Sequence, residues 1–214
     1  MHELAFPLLV GLIIIALAFD FLNGLHDAAN SIATVVSTRL LSPVMAVGFA
    51  AFGNFAAYWL VGLHVAETIG KGIIDPDTVT PAVVFGALIG GMFWNVLTWL
   101  KGIPSSSSHA LIGGLLGAGI AHGGTDAVGG PKTIETFLAI FLSPTIGMAI
   151  AMLLVLLTSW LFKSLQPRKA ENVFKSLHLF SSAAYSISHG GNDAQKTMGI
   201  IAVLLYSTGH LQGE

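Results

Sequence analysis

Gly24-Leu25-His26-Asp27-Ala28-Ala29-Asn30-Ser31 and Gly190-Gly191-Asn192-Asp193-Ala194-Gln195-Lys196-Thr197 are two copies of one pattern. Each follows an apolar run, opens on a glycine able to break a helix, and carries a single carboxylate. An ionisable group inside lipid is costly, so a pair of them marks an ion or substrate path. One motif in both halves of an apolar chain is the sequence sign of a secondary transporter.

Composition supports a lipid setting. Of the 214 residues, 54% are hydrophobic and only 9% are charged, with a mean hydropathy of +0.79. A soluble domain carries about 25% charged residues, so this chain reads as an integral membrane protein. The net charge of −2 describes particular sites and no general surface. There is no cysteine, which removes disulfides, haem attachment and thiolate metal sites. The apolar N-terminus, Leu4 to Phe19, has no basic region before it, since Arg39 is the first Lys or Arg. It is therefore expected to stay as a membrane segment and not to be cleaved as a signal peptide.

A crossing helix needs about 20 mostly apolar residues. Candidates are 4–25, 43–65, 80–100, 134–162 and 178–208. Between 104 and 122, Pro104-Ser105-Ser106-Ser107-Ser108-His109 leads into a Gly-rich apolar stretch. Its polar start and short length suit a re-entrant hairpin with irregular backbone lining a cavity. Lys163, Arg168, Lys169 and Lys175 flank Pro167 in a loop over 163–177, which places that loop in the cytoplasm. Asp75-Pro76-Asp77 and Gly123-Gly124-Thr125-Asp126 read as turns. Tyr58, Trp59, Trp94, Trp99 and Trp160 read as interface anchors. Gly86 with Gly90, and Gly113 with Gly117, would allow close helix packing.

The two carboxylates are 166 positions apart (193 − 27), and the Ser-rich run begins 77 after Asp27 (104 − 27). A second hairpin is then expected near residue 270, past Glu214. The chain thus divides into a first repeat over 1–162, the basic loop 163–177, and the start of a second repeat over 178–214.

Asn30, Ser31, Thr34 and Thr38 follow Asp27 at helical spacing, and Lys196 and Thr197 follow Asp193 likewise. A hard cation such as Na⁺ wants carboxylate, amide and hydroxyl oxygens, whereas an oxyanion wants donors and positive dipole ends. Broken helices supply both. Asp193 has a competing role as an ion-pair partner of Lys196 holding two helices together. Asp20 either orients a helix break after Phe21 or contacts substrate. Pro104 at a first helical turn would leave N–H groups free for an anion, with the serines as uncharged donors. Some of those hydroxyls instead bond back to the helix. His109 has three open roles: anion donor, proton carrier or satisfied polar residue. His26, His64, His122 and His189 lack metal-ligand spacing. A hydrolase built from Ser107, His109 and Asp27 is the alternative from a different class, though no G-x-S-x-G turn is present.

These motifs resemble the inorganic phosphate transporter family, the PiT-type phosphate permeases. Gly24 to Ser31 is similar to the family's first signature, Pro104 to His109 to its first hairpin, and Gly190 to Gly199 to its second signature. His26 stands where the first signature usually has Asn. The resemblance implies an all-α inverted-repeat transporter with discontinuous helices, no enzymatic activity, and symport of inorganic phosphate with Na⁺ or H⁺. Sulfate is the rival substrate. On that reading Asp27, Asn30, Ser31, Asn192 and Asp193 hold the coupling cation. Ser105, Ser106, Ser107, Ser108, His109, Gln195, Lys196 and Thr197 hold phosphate. No cofactor or metal beyond a bound Na⁺ is implied, and no nucleic acid. The expected setting is the plasma membrane, crossed several times, with a second copy or a missing C-terminal half as partner.

Overall fold

The computed structural model describes residues 6–60, 73, 78–128 and 131–211, apart from the side chains of 131 and 132. Regular structure among them is helical throughout: α1 (Phe6–Ser37), α2 (Pro43–Leu60), α3 (Pro81–Lys101), α4 (Ser107–Gly123), a short 3₁₀ turn (Thr125–Ala127), α5 (Pro131–Phe162) and α6 (Pro167–Ser207). Four of these helices, α1, α2, α3 and α5, are long and apolar enough to cross a membrane. The chain is a multi-pass membrane protein. His64 and the Asp75–Asp77 turn lie outside the described residues.

Both repeated motifs sit inside unbroken helices, which corrects the expectation of breaks at Gly24 and Gly190. α1 runs on for 32 residues and α6 for 41. A glycine in a helix costs only about 1 kcal/mol relative to alanine, and the buried stripe of α1 outweighs that. Leu9, Leu12, Ala16 and Phe19 continue at the same spacing into Asn23, Asp27, Ser31 and Val35. One face is thus apolar at first and polar in its second half.

α6 packs antiparallel to α1. Thr197 meets Asp20, while Ile200 and Leu204 join Leu9, Leu12 and Ala16 in the apolar core. Antiparallel placement of two copies of one motif is what an inverted repeat requires. Unlike the expected span 178–208, α6 is not among the helices apolar enough to cross by composition alone. Its polar stripe of Ser182, Ser186, Gln195, Lys196 and Thr197 is buried against protein, not lipid.

The basic stretch is not a loop over 163–177. The turn spans only 163–166, and α6 begins at Pro167, whose fixed φ suits a first helical position. Arg168, Lys169 and Lys175 project from its first turns, with Lys175 paired to Glu171 at 2.7 Å.

α3 and α4 form one tight antiparallel hairpin. Thr80 caps α3 through the Val83 N–H, and Gly102 ends it in the left-handed region at φ 64°. A Cβ on Gly86 would meet Ala118, one on Gly90 would meet Gly114, and one on Gly114 would lie 2.5 Å from the Ala87 carbonyl oxygen. Gly113 and Gly117, expected at a packing face, look into open space instead. The hairpin tip turns back beside Asp27, with ten residues of α1 still to run. The expected hairpin is therefore α3 and α4 together, and Trp94 and Trp99 belong to its tip region. α5 carries exposed, mostly apolar side chains from 141 to 157, the pattern of a lipid-facing span.

Candidate functional site

Three elements meet at the hairpin tip: the second half of α1, the first turn of α4, and the centre of α6. Ser106 is the N-cap of α4. Its backbone is extended (φ −95°, ψ 120°) and its hydroxyl accepts from the His109 N–H. That cap aims the next two serines inward. Ser107 donates to Asp27 Oδ2 at 2.8 Å, and Ser108 accepts from Lys196 Nζ at 2.7 Å.

The four serines therefore divide in two. Ser107 and Ser108 face the carboxylate and the lysine. Ser105 accepts from Trp94 Nε1 at 3.1 Å, and Ser106 is occupied as a cap. His109 is exposed and lines an outer groove with Trp94, Ser105 and Ser106. Pro104 stands before the cap, not in the first helical turn, so it frees no N–H for an anion. The hydrolase grouping fails on the same geometry, because Ser107 reaches Asp27 while His109 lies on the opposite face of the tip.

The two carboxylates have different company. Asp27 is held by neutral donors, the Ser107 hydroxyl and the Asn30 amide at 3.2 Å. Asp193 is bridged by Lys196 at 2.7 Å and His189 Nε2 at 3.1 Å, both from its own helix. The expected Asp193–Lys196 pair is thus present, but it does not join two helices. Lys196, only 5% exposed, spends its remaining reach on Ser108 of the hairpin. Lys196 occupies the position equivalent to Asn30, three after its carboxylate.

Thr197 donates to Asp20 Oδ1 at 2.9 Å, so Asp20 orients no helix break and instead ties α1 to α6. Gln195 is buried. Ser31 is buried in the inner face of α1, whereas Thr34 is exposed and Thr38 bonds back to the Thr34 carbonyl. Asn192, expected to be a cation ligand, is exposed and separated from Asp193, because adjacent helical residues point about 100° apart.

Beside this cluster, a 260 Å³ cavity opens between α1, α2 and α6, lined by Asp20, Asn23, Ser31, Asn54, His189 and Asp193. Asn23 and Asn54 were not anticipated as functional. Asn54 carried a signal nonetheless, as the sole amide in the apolar stretch 43–60.

A model of the phosphate transporter family matches residues 23–170 and 162–213. The chain belongs to that family. It is 61% identical over 211 residues to a probable low-affinity inorganic phosphate transporter of Rhizobium meliloti (strain 1021), covering 99% of this chain and 63% of that protein. It is 43% identical over 196 residues to a protein of the same description from Bacillus subtilis (strain 168), covering 91% of this chain and 59% of the relative. The solved structure of a sodium-dependent phosphate transporter superposes with a TM-score of 0.87 at 25% identity, over 97% of this chain and 70% of that one. The chain thus spans less than two thirds of the length of these two sequence relatives. Its relatives are transporters, not enzymes.

Proposed function

We propose that this family member moves inorganic phosphate across the membrane together with a cation, Na⁺ or H⁺, and that the hairpin tip holds the phosphate. One observation carries the reading: Lys196 Nζ on Ser108 Oγ at 2.7 Å, directly beside Ser107 on Asp27. A cation and two hydroxyls, supplied by different helices, converge in a buried setting where an oxyanion finds donors and no surplus of positive charge. A single lysine with hydroxyls suits reversible binding better than an arginine cluster would. Thr197, although next to Lys196, is committed to Asp20, so the lysine and the Ser108 hydroxyl are the donors this tip offers. Asp27 either accepts the phosphate O–H or, with Asn30, holds the coupling cation. Phosphate near neutral pH has a proton to offer such an acceptor, whereas sulfate has none, which favours phosphate between the two.

The test is [³²P]phosphate binding to the purified chain and uptake into proteoliposomes under imposed Na⁺ and then H⁺ gradients, with unlabelled sulfate as competitor. Binding displaced by phosphate but not by sulfate, with gradient-driven uptake, is the expected result. Displacement by sulfate at equal concentration would replace phosphate with sulfate as substrate, and no binding of either would reject the site.

A further inference from the structure

The basic cluster where α5 meets α6 is left without counter-charge among the described residues. Lys163, Arg168, Lys169 and Lys175 are all exposed. Glu171 is the single acidic residue between Glu135 and Asp193, and its carboxylate is taken by Lys175 at 2.7 Å. Lys163, Arg168 and Lys169 form no ion pair among the described residues. Three positive charges thus stand uncompensated in a chain whose net charge is −2.

Their setting is a membrane boundary. The lipid-facing stretch of α5, 141 to 157, is followed by Trp160, 65% exposed, with Lys163 Nζ 5.8 Å from its ring centroid. A tryptophan placed so settles at headgroup level, and a cation held at its ring stays at that depth. Phe162, the last residue of α5, packs edge-on to Phe174 with ring centroids 5.1 Å apart, which holds the first turns of α6 beside the boundary. Those turns have two faces. Ala170, Val173, Phe174 and Leu177 share one side at helical spacing, with Arg168 and Lys175 opposite and Lys169 at the flank. α1 does not cover this apolar side. Asp20 lies 17 residues before Ser37 and Thr197 lies 17 after Phe180, so α1 ends opposite Phe180 in the antiparallel pair. Phe174 and Leu177, further out, remain exposed.

Charge and apolar surface together select the occupant. A soluble polyanion would match the cations and leave the exposed rings in water. A zwitterionic headgroup brings its own cation to the phosphate. An anionic phospholipid offers an uncompensated phosphate with acyl chains directly beneath it.

We propose that the α5–α6 corner is a docking surface for anionic phospholipid headgroups. Lys163, Arg168 and Lys169 face the lipid phosphates, and Trp160, Phe174 and Leu177 lie against the upper acyl chains. The planar fork of Arg168 suits a phosphate best. An excess of basic residues marks the cytoplasmic side, whose leaflet carries the anionic lipids. The proposal rests on neither the phosphate site nor the coupling ion.

The experiment reconstitutes the chain in phosphatidylcholine nanodiscs with a fixed mole fraction of one brominated lipid, either phosphatidylglycerol or phosphatidylcholine. Bromine quenches tryptophan on contact, and the share of Trp160 is the difference from the Trp160→Phe variant. Brominated phosphatidylglycerol is expected to quench Trp160 more strongly, by about twofold or more. The triple variant Lys163→Gln, Arg168→Gln, Lys169→Gln should lose that preference, with quenching by brominated phosphatidylcholine unchanged. Circular dichroism and monodispersity report folding. If the triple variant misfolds, high salt on the unsubstituted chain decides, since it screens the same exposed charges and should erase the preference. Equal quenching by the two lipids, or a preference that survives in the folded triple variant, overturns the docking surface. Loss of the preference on adding inorganic phosphate, but not chloride of equal ionic strength, would make the cluster a site for the free ion and also overturn it.

Discussion

Ser107 reaches Asp27 across eighty residues of sequence, donating a 2.8 Å hydrogen bond that ties the hairpin tip to α1. The acceptor is a buried carboxylate, and a hydrogen bond to a charged group contributes about 1.5–3 kcal/mol. Ser107→Ala is expected to destabilise the chain by that amount in reversible unfolding. Asp27→Asn should cost a similar amount, and the double variant should cost little more than the larger single change. Strict additivity of the two would show that the bond contributes nothing.

Lys196→Met leaves Asp193 with His189 alone. Breaking a buried pair by removing one partner costs about 3–5 kcal/mol, because the remaining charge stays desolvated. Adding Asp193→Asn removes that charge and should recover most of the lost stability. Phosphate binding should be lost in both variants, since neither restores a cation beside Ser108. A double variant that melts like the parent yet still binds phosphate would remove Lys196 from the site.

These two contacts differ in how far they could be read from the chain. A lone carboxylate in an apolar run stands out, so Asp27 and Asp193 were legible, and so was the pairing of Asp193 with a lysine three residues on. The division of Ser105 to Ser108 was not. Which serine faces inward depends on Ser106 adopting extended backbone as a cap, and four identical residues carry no record of that choice. The expected break at Gly24 failed because a glycine's small helix penalty is set against a buried stripe that only the packed fold reveals. Asn23 and Asn54 were missed for a related reason. They become neighbours only because α2 comes close enough to Gly190 to touch its backbone.

Gly113 and Gly114 are adjacent, but only one is used by the hairpin. A Cβ on Gly114 would lie 2.5 Å from the Ala87 carbonyl oxygen, so Gly114→Ala must push α3 and α4 apart, at about 1–3 kcal/mol. Gly113 has no atom within 4 Å, and Gly113→Ala should raise stability by about 0.5–1 kcal/mol through helix propensity alone. Thermal melts of the two variants in one detergent compare them directly. Equal shifts would contradict the packing.

Gly24 and Gly190 are equivalent positions of the two motifs, yet their surroundings differ. Nothing lies within 4 Å of a Cβ placed on Gly24, whereas one on Gly190 collides with the Asn54 backbone. A backbone cannot rotate aside as a flexible side chain can, so Gly190→Ala should force α2 away from α6. Beyond a loss of stability of about 1–3 kcal/mol, it should withdraw Asn54 from the cavity. Gly24→Ala should leave the helix packing unchanged and add up to about 1 kcal/mol. Thiol labelling of a cysteine introduced at Ser186, which is buried against Gly53, reports the movement. Labelling should rise in the Gly190→Ala background and stay low in the Gly24→Ala background. Unchanged labelling in both would mean that the contact yields without moving the helix, and that Asn54 reaches the cavity for some other reason.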